Sequence, residues 1–222
     1  MLDGLRVGWR AIRHLNHRSH LYVWGNILWL ILSLPLVTAP GAWMALVRLS
    51  YVMHRDPGVT MDDFWQGFRE NWRRGIILAF INALILVINL GNLISYWNMP
   101  GLLGFFLRAS WGFVLVAWFA LQLYAYPLFF AMEKPTLFGA FRNAGVMILQ
   151  NPLYTLVIVI IGAIFIALGV VLPPILILLT GGAVASLANT AVQNRLWAAG
   201  IQPRPVELDE SAEQSFYADY EA

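Results

Sequence analysis

The chain has 222 residues, 59% of them hydrophobic and 12% charged, with ten tryptophans and a net charge of +2. Charged residues make up about a quarter of a soluble domain, so this composition excludes a water-soluble globular protein and implies a polytopic membrane protein. The absence of cysteine excludes disulfides and thiol chemistry, and the small net charge leaves the placement of charge as the informative quantity.

At the N-terminus Leu2, Leu5, Trp9 and Ile12 share one side of a helix while Asp3, Arg6, Arg10 and Arg13 share another. In "HLNHRSH", His14, His17 and His20 follow three apart; no carboxylate or cysteine completes a metal site, and the cluster is expected to be hydrated beside headgroups. The apolar run from Leu21 to Met53 carries Arg48 as its one charge. As one straight helix it would be roughly 50 Å long, against a bilayer core of about 30 Å, so a single crossing does not fit. Proline removes a donor and clashes with the preceding turn. Pro35, Thr38, Pro40 and Gly41 in "SLPLVTAPG" are therefore read as a hairpin turn. A re-entrant loop satisfies the same charges, and the second segment is short enough for either. Basic residues before the run and "VTA" within it resemble a cleaved signal peptide, but Pro40 would follow the cut, and the run is expected to be retained.

Next comes "TMDDFWQGFRENWRR", in which Phe64, Trp65, Phe68, Arg69 and Trp72 mark an interfacial amphipathic helix, opened by Thr60 and Asp63 as a capping box. Long apolar runs follow from Gly75 to Trp97, Leu102 to Met132 and Leu153 to Val192, the last broken by Pro173 and Pro174. The fold class is thus all-α, with about six transmembrane helices at residues 21–37, 39–53, 75–97, 102–132, 153–172 and 175–192. Cytoplasmic ends collect Lys and Arg. A hairpin at each end of the chain places Arg6, Arg10, Arg13, Arg18, Arg55, Arg69, Arg73, Arg74, Lys134, Arg142, Arg195 and Arg204 inside, with both termini cytoplasmic and Arg108 outside.

A second amphipathic stretch, "KPTLFGAFRNAGVMILQN", has Leu137, Phe138, Phe141 and Ile148 on one face. "FWQGFREN" and "LFGAFRNA" are its best internal match, and the expected unit is an amphipathic helix followed by a hairpin, occurring three times. Residues 1–199 form a single helical membrane domain, and residues 200–222 an acidic cytoplasmic tail that holds six of the twelve acidic residues.

No Asp or Glu falls inside a predicted span, which disfavours a proton-coupled carrier built on buried carboxylates. Amides do. Asn82 and Asn89 share a helix face with Asn92 close by, and with Arg108 they are the candidate polar path; the competing reading is that amides join helices and Arg108 snorkels to the outer surface. Gly181, Gly182, Ala185 and Ser186 have the small-residue spacing of close helix packing, within the bundle or between protomers.

Trp29, Leu34, Pro35, Val37 and Thr38, followed by Phe64, Trp65, Phe68, Arg69 and Asn71, resemble the motifs of the YesL-like family, domain of unknown function 624; Ala39-Pro40 stands where that family more often has an aliphatic residue and glycine. The resemblance covers roughly residues 20–90. It implies a bacterial cytoplasmic (inner) membrane protein, often encoded near carbohydrate-uptake and polysaccharide-degradation genes, and it brings no established activity and no catalytic or ligand residues.

Signatures of hydrolases, metalloproteases, P-loop proteins and dinucleotide enzymes are absent, so no enzyme activity, cofactor or metal is expected, and the spread of basic residues along one membrane edge argues against nucleic acid. The expected function is an accessory or interaction component linked to carbohydrate uptake, with the lipid bilayer and sugar-transporter permease subunits as partners. The alternative is a channel or carrier for a small neutral solute such as a sugar. Oligomeric state is not legible in the sequence.

Overall fold

The computed structural model describes residues 2–56 and 58–203, and the acidic run of the tail lies outside them. Among the described residues every regular element is a helix: α1 Leu2–His17, α2 Ser19–Ser33, α3 Ala39–Met53, α4 Met61–Ser95, α5 Gly101–Ala131, α6 Leu137–Gln150, α7 Pro152–Val171 and α8 Pro173–Ala198. Helices α4, α5, α7 and α8 are each long and apolar enough to cross a membrane. At 15 residues apiece, α2 and α3 are about 22 Å long, short of a full bilayer core.

The chain reverses between α2 and α3 over residues 34–38. Leu36 takes a positive φ of 60°, the Val37 N–H donates to the Pro35 carbonyl at 2.7 Å, and the Thr38 hydroxyl donates to the Leu32 carbonyl. Pro35 and Thr38 thus make the turn as expected, but Pro40 and Gly41 do not. Pro40 opens α3, where its missing N–H costs nothing, and Gly41 lies inside the helix.

The predicted interfacial helix at residues 61–74 is not a separate element. It continues without a break into the apolar run as α4, 35 residues and roughly 50 Å long. The Asp63 carboxylate accepts from the Thr60 N–H at 3.1 Å and starts it. Gly75, where the sequence suggested a boundary, is a crossing point: a Cβ there would stand 2.5 Å from the Gly41 backbone, so only glycine lets α3 and α4 meet. Nor do the large residues of this stretch share the buried face. Phe64, Gly67, Asn71, Gly75 and Leu78 are buried, while Trp65, Arg69 and Trp72 face outward.

The same inversion occurs in α1 and α6. In α1, Val7 and Ala11 are buried while Leu5, Trp9 and Ile12 are exposed. Gly4 and Gly8 bring α1 against Val157 and Ile161 of α7, and the Ser186 hydroxyl of α8 donates to the Ala11 carbonyl at 3.0 Å. Helix α1 therefore runs alongside α7 and α8 rather than lying across their ends. In α6 the buried residues are Ala140, Ala144 and Met147, with Phe138 81% exposed. Small residues seat each helix on its neighbours and bulky apolar residues point away, as expected where lipid competes for the large side chains.

Helix α8 is the centre. It touches α1, α2, α3, α5 and α7, and it begins irregularly, with the π-helical turn Leu176–Thr180 between Pro173–Ile175 and Gly181–Ala198. Gly181 and Gly182 admit α2: a Cβ on Gly181 would lie 2.6 Å from the Trp29 ring, and one on Gly182 2.9 Å from Tyr22. Ala185 and Ser186 are also buried, so all four small residues predicted for helix packing serve contacts within this chain. At the other extreme, α4 runs on past the start of α3 beside the first half of α5. From residue 79 to residue 119 only Asn89 and Gly104 are buried, and this apolar hairpin arm extends from the bundle.

Candidate functional site

Three groups of polar residues among the described residues bear on the predicted site. The densest lies where α1, α2, α3 and α8 meet. The His14 and His54 rings stack with centroids 3.7 Å apart. The Tyr22 hydroxyl is 2.9 Å from His14 Nδ1 and 2.9 Å from Ser50 Oγ, and His14 Nε2 is 3.4 Å from the Met53 carbonyl. With His14 Nε2 protonated, a consistent chain runs from the Ser50 hydroxyl to Tyr22 to His14 Nδ1 and on to Met53. His54 donates through Nδ1 to the Ser50 carbonyl at 2.6 Å, and its Nε2 is 3.1 Å from Thr190 Oγ1. Asn189 donates to the Val47 and Ala185 carbonyls, and Arg18, fully buried, reaches toward the Asp56 carbonyl 3.5 Å away.

The histidine cluster is therefore split. His14 is buried, where the sequence suggested hydration, and His17 and His20 are exposed. Burial holds the His14 imidazole well below its ordinary pKa, and His54 beside it adds to the effect. The signal that could have found this group was His14, Arg18 and Tyr22 repeating at helical spacing with Val7 and Ala11, a stripe hidden by the louder Leu5–Trp9–Ile12 face. Among the described residues no three His, Cys, Asp or Glu side chains stand close enough to share a metal. The chemistry on offer is hydrogen bonding that locks four helices in register.

The second group is Asn26. Its amide nitrogen donates to the Leu176 and Ile177 carbonyls at 2.8 and 2.7 Å, and its oxygen accepts from the Gly182 N–H at 3.1 Å. A π-turn displaces carbonyls from the regular ladder, and one side chain from α2 satisfies them.

The third group contains the predicted polar path. Asn82 joins Gln122 at 3.4 Å and accepts from Trp118 Nε1 at 3.0 Å, while the Tyr126 hydroxyl donates to Gln122 at 3.1 Å. Asn89 is 1% exposed in the arm, with neither amide atom hydrogen-bonded among the described residues. Asn92 is half-buried and donates to the Ile88 carbonyl of its own helix. Arg108 is also apart from the others: its Nη1 donates to the carbonyls of Tyr96, Trp97 and Met99 at 2.9–3.1 Å, closing the end of α4. The structure unites Asn82 with residues of α5 and leaves Asn92 and Arg108 as local caps.

Residues 22–93, covering α2, α3 and most of α4, match the family model described as a protein of unknown function, DUF624. No curated protein and no solved structure matches the chain. The matched segment contains the tryptophan, proline and Phe-Trp motifs on which the resemblance rested. Over residues 22–93 the chain is thus similar to the DUF624 family, consistent with its resemblance to the YesL-like proteins.

Proposed function

We propose that this protein is a multi-pass component of the bacterial cytoplasmic membrane, not an enzyme, that acts by packing against another membrane protein, and that its partner is a permease subunit of a sugar transporter. The observation that carries the reading is the apolar arm. In the most apolar 18-residue window of α4, 11% of the residues are buried within the chain, against 72% in the corresponding window of α8. Two helices joined by a short turn, with most residues from 79 to 119 exposed and only Asn89 and Gly104 buried, bury little unless a neighbour covers them. The link to carbohydrate uptake rests on the family resemblance.

In this reading the α2–α3 hairpin enters the bilayer beside α4, α5, α7 and α8, giving six membrane segments with both termini cytoplasmic. The order α1–α2–α3, α4–α5, α6–α7–α8 supports a threefold ancestry with the first helix of the middle unit fused into α4. The chain lacks cysteine, so a single cysteine at Leu36 tests the hairpin cleanly. Labelling of that cysteine by an impermeant maleimide from outside the cell fits a crossing, and labelling from the cytoplasmic side alone fits a re-entrant loop.

Affinity purification from native membranes in mild detergent, followed by mass spectrometry, tests the partner. Stoichiometric recovery of permease subunits is expected, and recovery of this protein alone would overturn the reading. The buried, unpaired amide of Asn89 and the Asn82–Gln122 pair favour one second reading, a carrier for a small neutral solute. Sugar uptake that survives Asn82→Ala with Asn89→Ala would end it.

A further inference from the structure

A cavity of about 450 Å³ opens where α8 ends and α7 begins, walled by α5 and α6, with Asn143, Gln150, Asn151 and Arg195 as its polar lining and Met147 and Ile201 among its apolar residues. Arg195 is the feature that asks for a ligand. Its side chain is 15% exposed and is held from several directions: Asn194 Oδ1 accepts from Nε and Nη2 at 3.2 and 2.6 Å, Asn151 Oδ1 accepts from Nη1 at 3.2 Å, and the guanidinium lies 4.0 Å above the Tyr154 ring. All of those partners are neutral. The carboxylate recorded beside it among the described residues, Asp3, stands 3.9 Å from Nη2, beyond hydrogen-bond reach, on a side chain that is 64% exposed. The cation is thus fixed in orientation, mostly desolvated and weakly compensated, and a guanidinium fork in that state is suited to a phosphate.

We propose that this cavity binds a phosphate group carrying an apolar stem, and that an anionic glycerophospholipid of the cytoplasmic leaflet supplies it. The volume fits a headgroup and the start of its chains rather than a whole lipid. The amides of Asn143, Gln150 and Asn151 meet the phosphoglycerol oxygens, and the apolar wall beside Met147 receives the stem. Basic pockets between membrane helices on the cytoplasmic side take lipid headgroups by this chemistry. Asp3 competes with the ligand for Arg195.

Native mass spectrometry of the full chain in detergent tests the site, with added phosphatidylglycerol, phosphatidylcholine and inorganic phosphate as probes. One phosphatidylglycerol is expected to be retained at a concentration at least tenfold below that needed for phosphatidylcholine. Arg195→Gln should abolish that preference, and Asp3→Asn should strengthen retention several-fold. Because Arg195 also braces Tyr154, Asn143→Leu, at an exposed position on the rim, serves as the second variant and should weaken retention without loss of folded protein. Equal retention of the two lipids, or wild-type retention by Asn143→Leu and Arg195→Gln alike, would overturn the site. Inorganic phosphate that displaces phosphatidylglycerol at equal concentration would keep the anion site and overturn the lipid as its source.

Discussion

Helix α8 and the α4–α5 arm are both apolar enough to enter a membrane, yet they are built on opposite plans. Helix α8 is made of small and polar residues, Gly181, Gly182, Ala185, Ser186, Asn189 and Thr190, all buried, and each small residue admits a neighbouring helix or each polar one ties it. The arm is made of large aliphatic and aromatic residues such as Phe80, Val87, Leu102 and Phe113, all exposed. In water the large residues would be the core and the small ones the surface. In lipid, where a leucine gains little by leaving the hydrocarbon, the interior belongs to the residues that allow close approach and complete hydrogen bonds. The arm, by the same logic, is either lipid-facing or a surface for another chain.

The sharpest way to break this comparison is to make one substitution in both regions of α4. Gly75→Ala puts a Cβ 2.5 Å from the Gly41 backbone and should destabilise the bundle by about 3 kcal/mol. Gly91→Ala meets nothing within 4 Å and should be neutral or gain up to about 1 kcal/mol from helix propensity. Unfolding in mixed micelles reads both, and equal effects would refute the contrast.

Removing one hydroxyl from the buried network comes next. Tyr22→Phe leaves His14 and Ser50 without their shared partner and should cost about 2 kcal/mol, whereas Asn92→Ala, half-buried on the arm and bonded to its own helix, should stay within about 0.5 kcal/mol. A smaller, pH-dependent effect follows from His14. Its folded pKa lies well below the ordinary value of about 6.5, so below that pH the unfolded chain binds a proton that the fold resists. Stability should be at its plateau above pH 6.5 and fall by up to about 1.4 kcal/mol per unit as pH drops toward the folded pKa. His14→Gln should flatten that slope between pH 7 and pH 5, and an unchanged slope would assign it elsewhere. A local change is expected in the arm: Arg108→Gln frees three carbonyls at the end of α4 and should cost about 1 kcal/mol, seen as faster hydrogen exchange near residues 92–99 with the bundle unaffected.

Helix type and placement were largely legible, because long apolar runs and prolines at their midpoints carry their meaning locally. Pro35 and Pro173 separate helices as their chemistry requires. What stayed hidden was partnership. The Phe64, Trp65, Phe68 and Trp72 face read as a membrane-surface helix because amphipathic periodicity records which residues are bulky, whereas Phe64, Gly67, Asn71 and Gly75, three and four apart on the same helix, are the ones buried. Gly75 read as a boundary because the apolar run begins there, directly after Arg73 and Arg74, and the approach of Gly41, 34 positions earlier, has no local trace. His14 looked hydrated for a similar reason: its burial depends on Met53, His54 and α8, all distant in sequence. The amides were found but not sorted, since nothing in the spacing of Asn82, Asn89 and Asn92 tells a cross-helix bond from a bond to its own helix.

A scan of a photo-crosslinking residue through positions 77–94 of α4, in native membranes and again in liposomes of the purified protein, shows what covers the arm. Protein adducts recurring every three to four positions in native membranes, replaced by lipid adducts alone in liposomes, are expected if a partner packs on the arm. The same lipid-only pattern in both would show that the arm faces the bilayer and meets no partner.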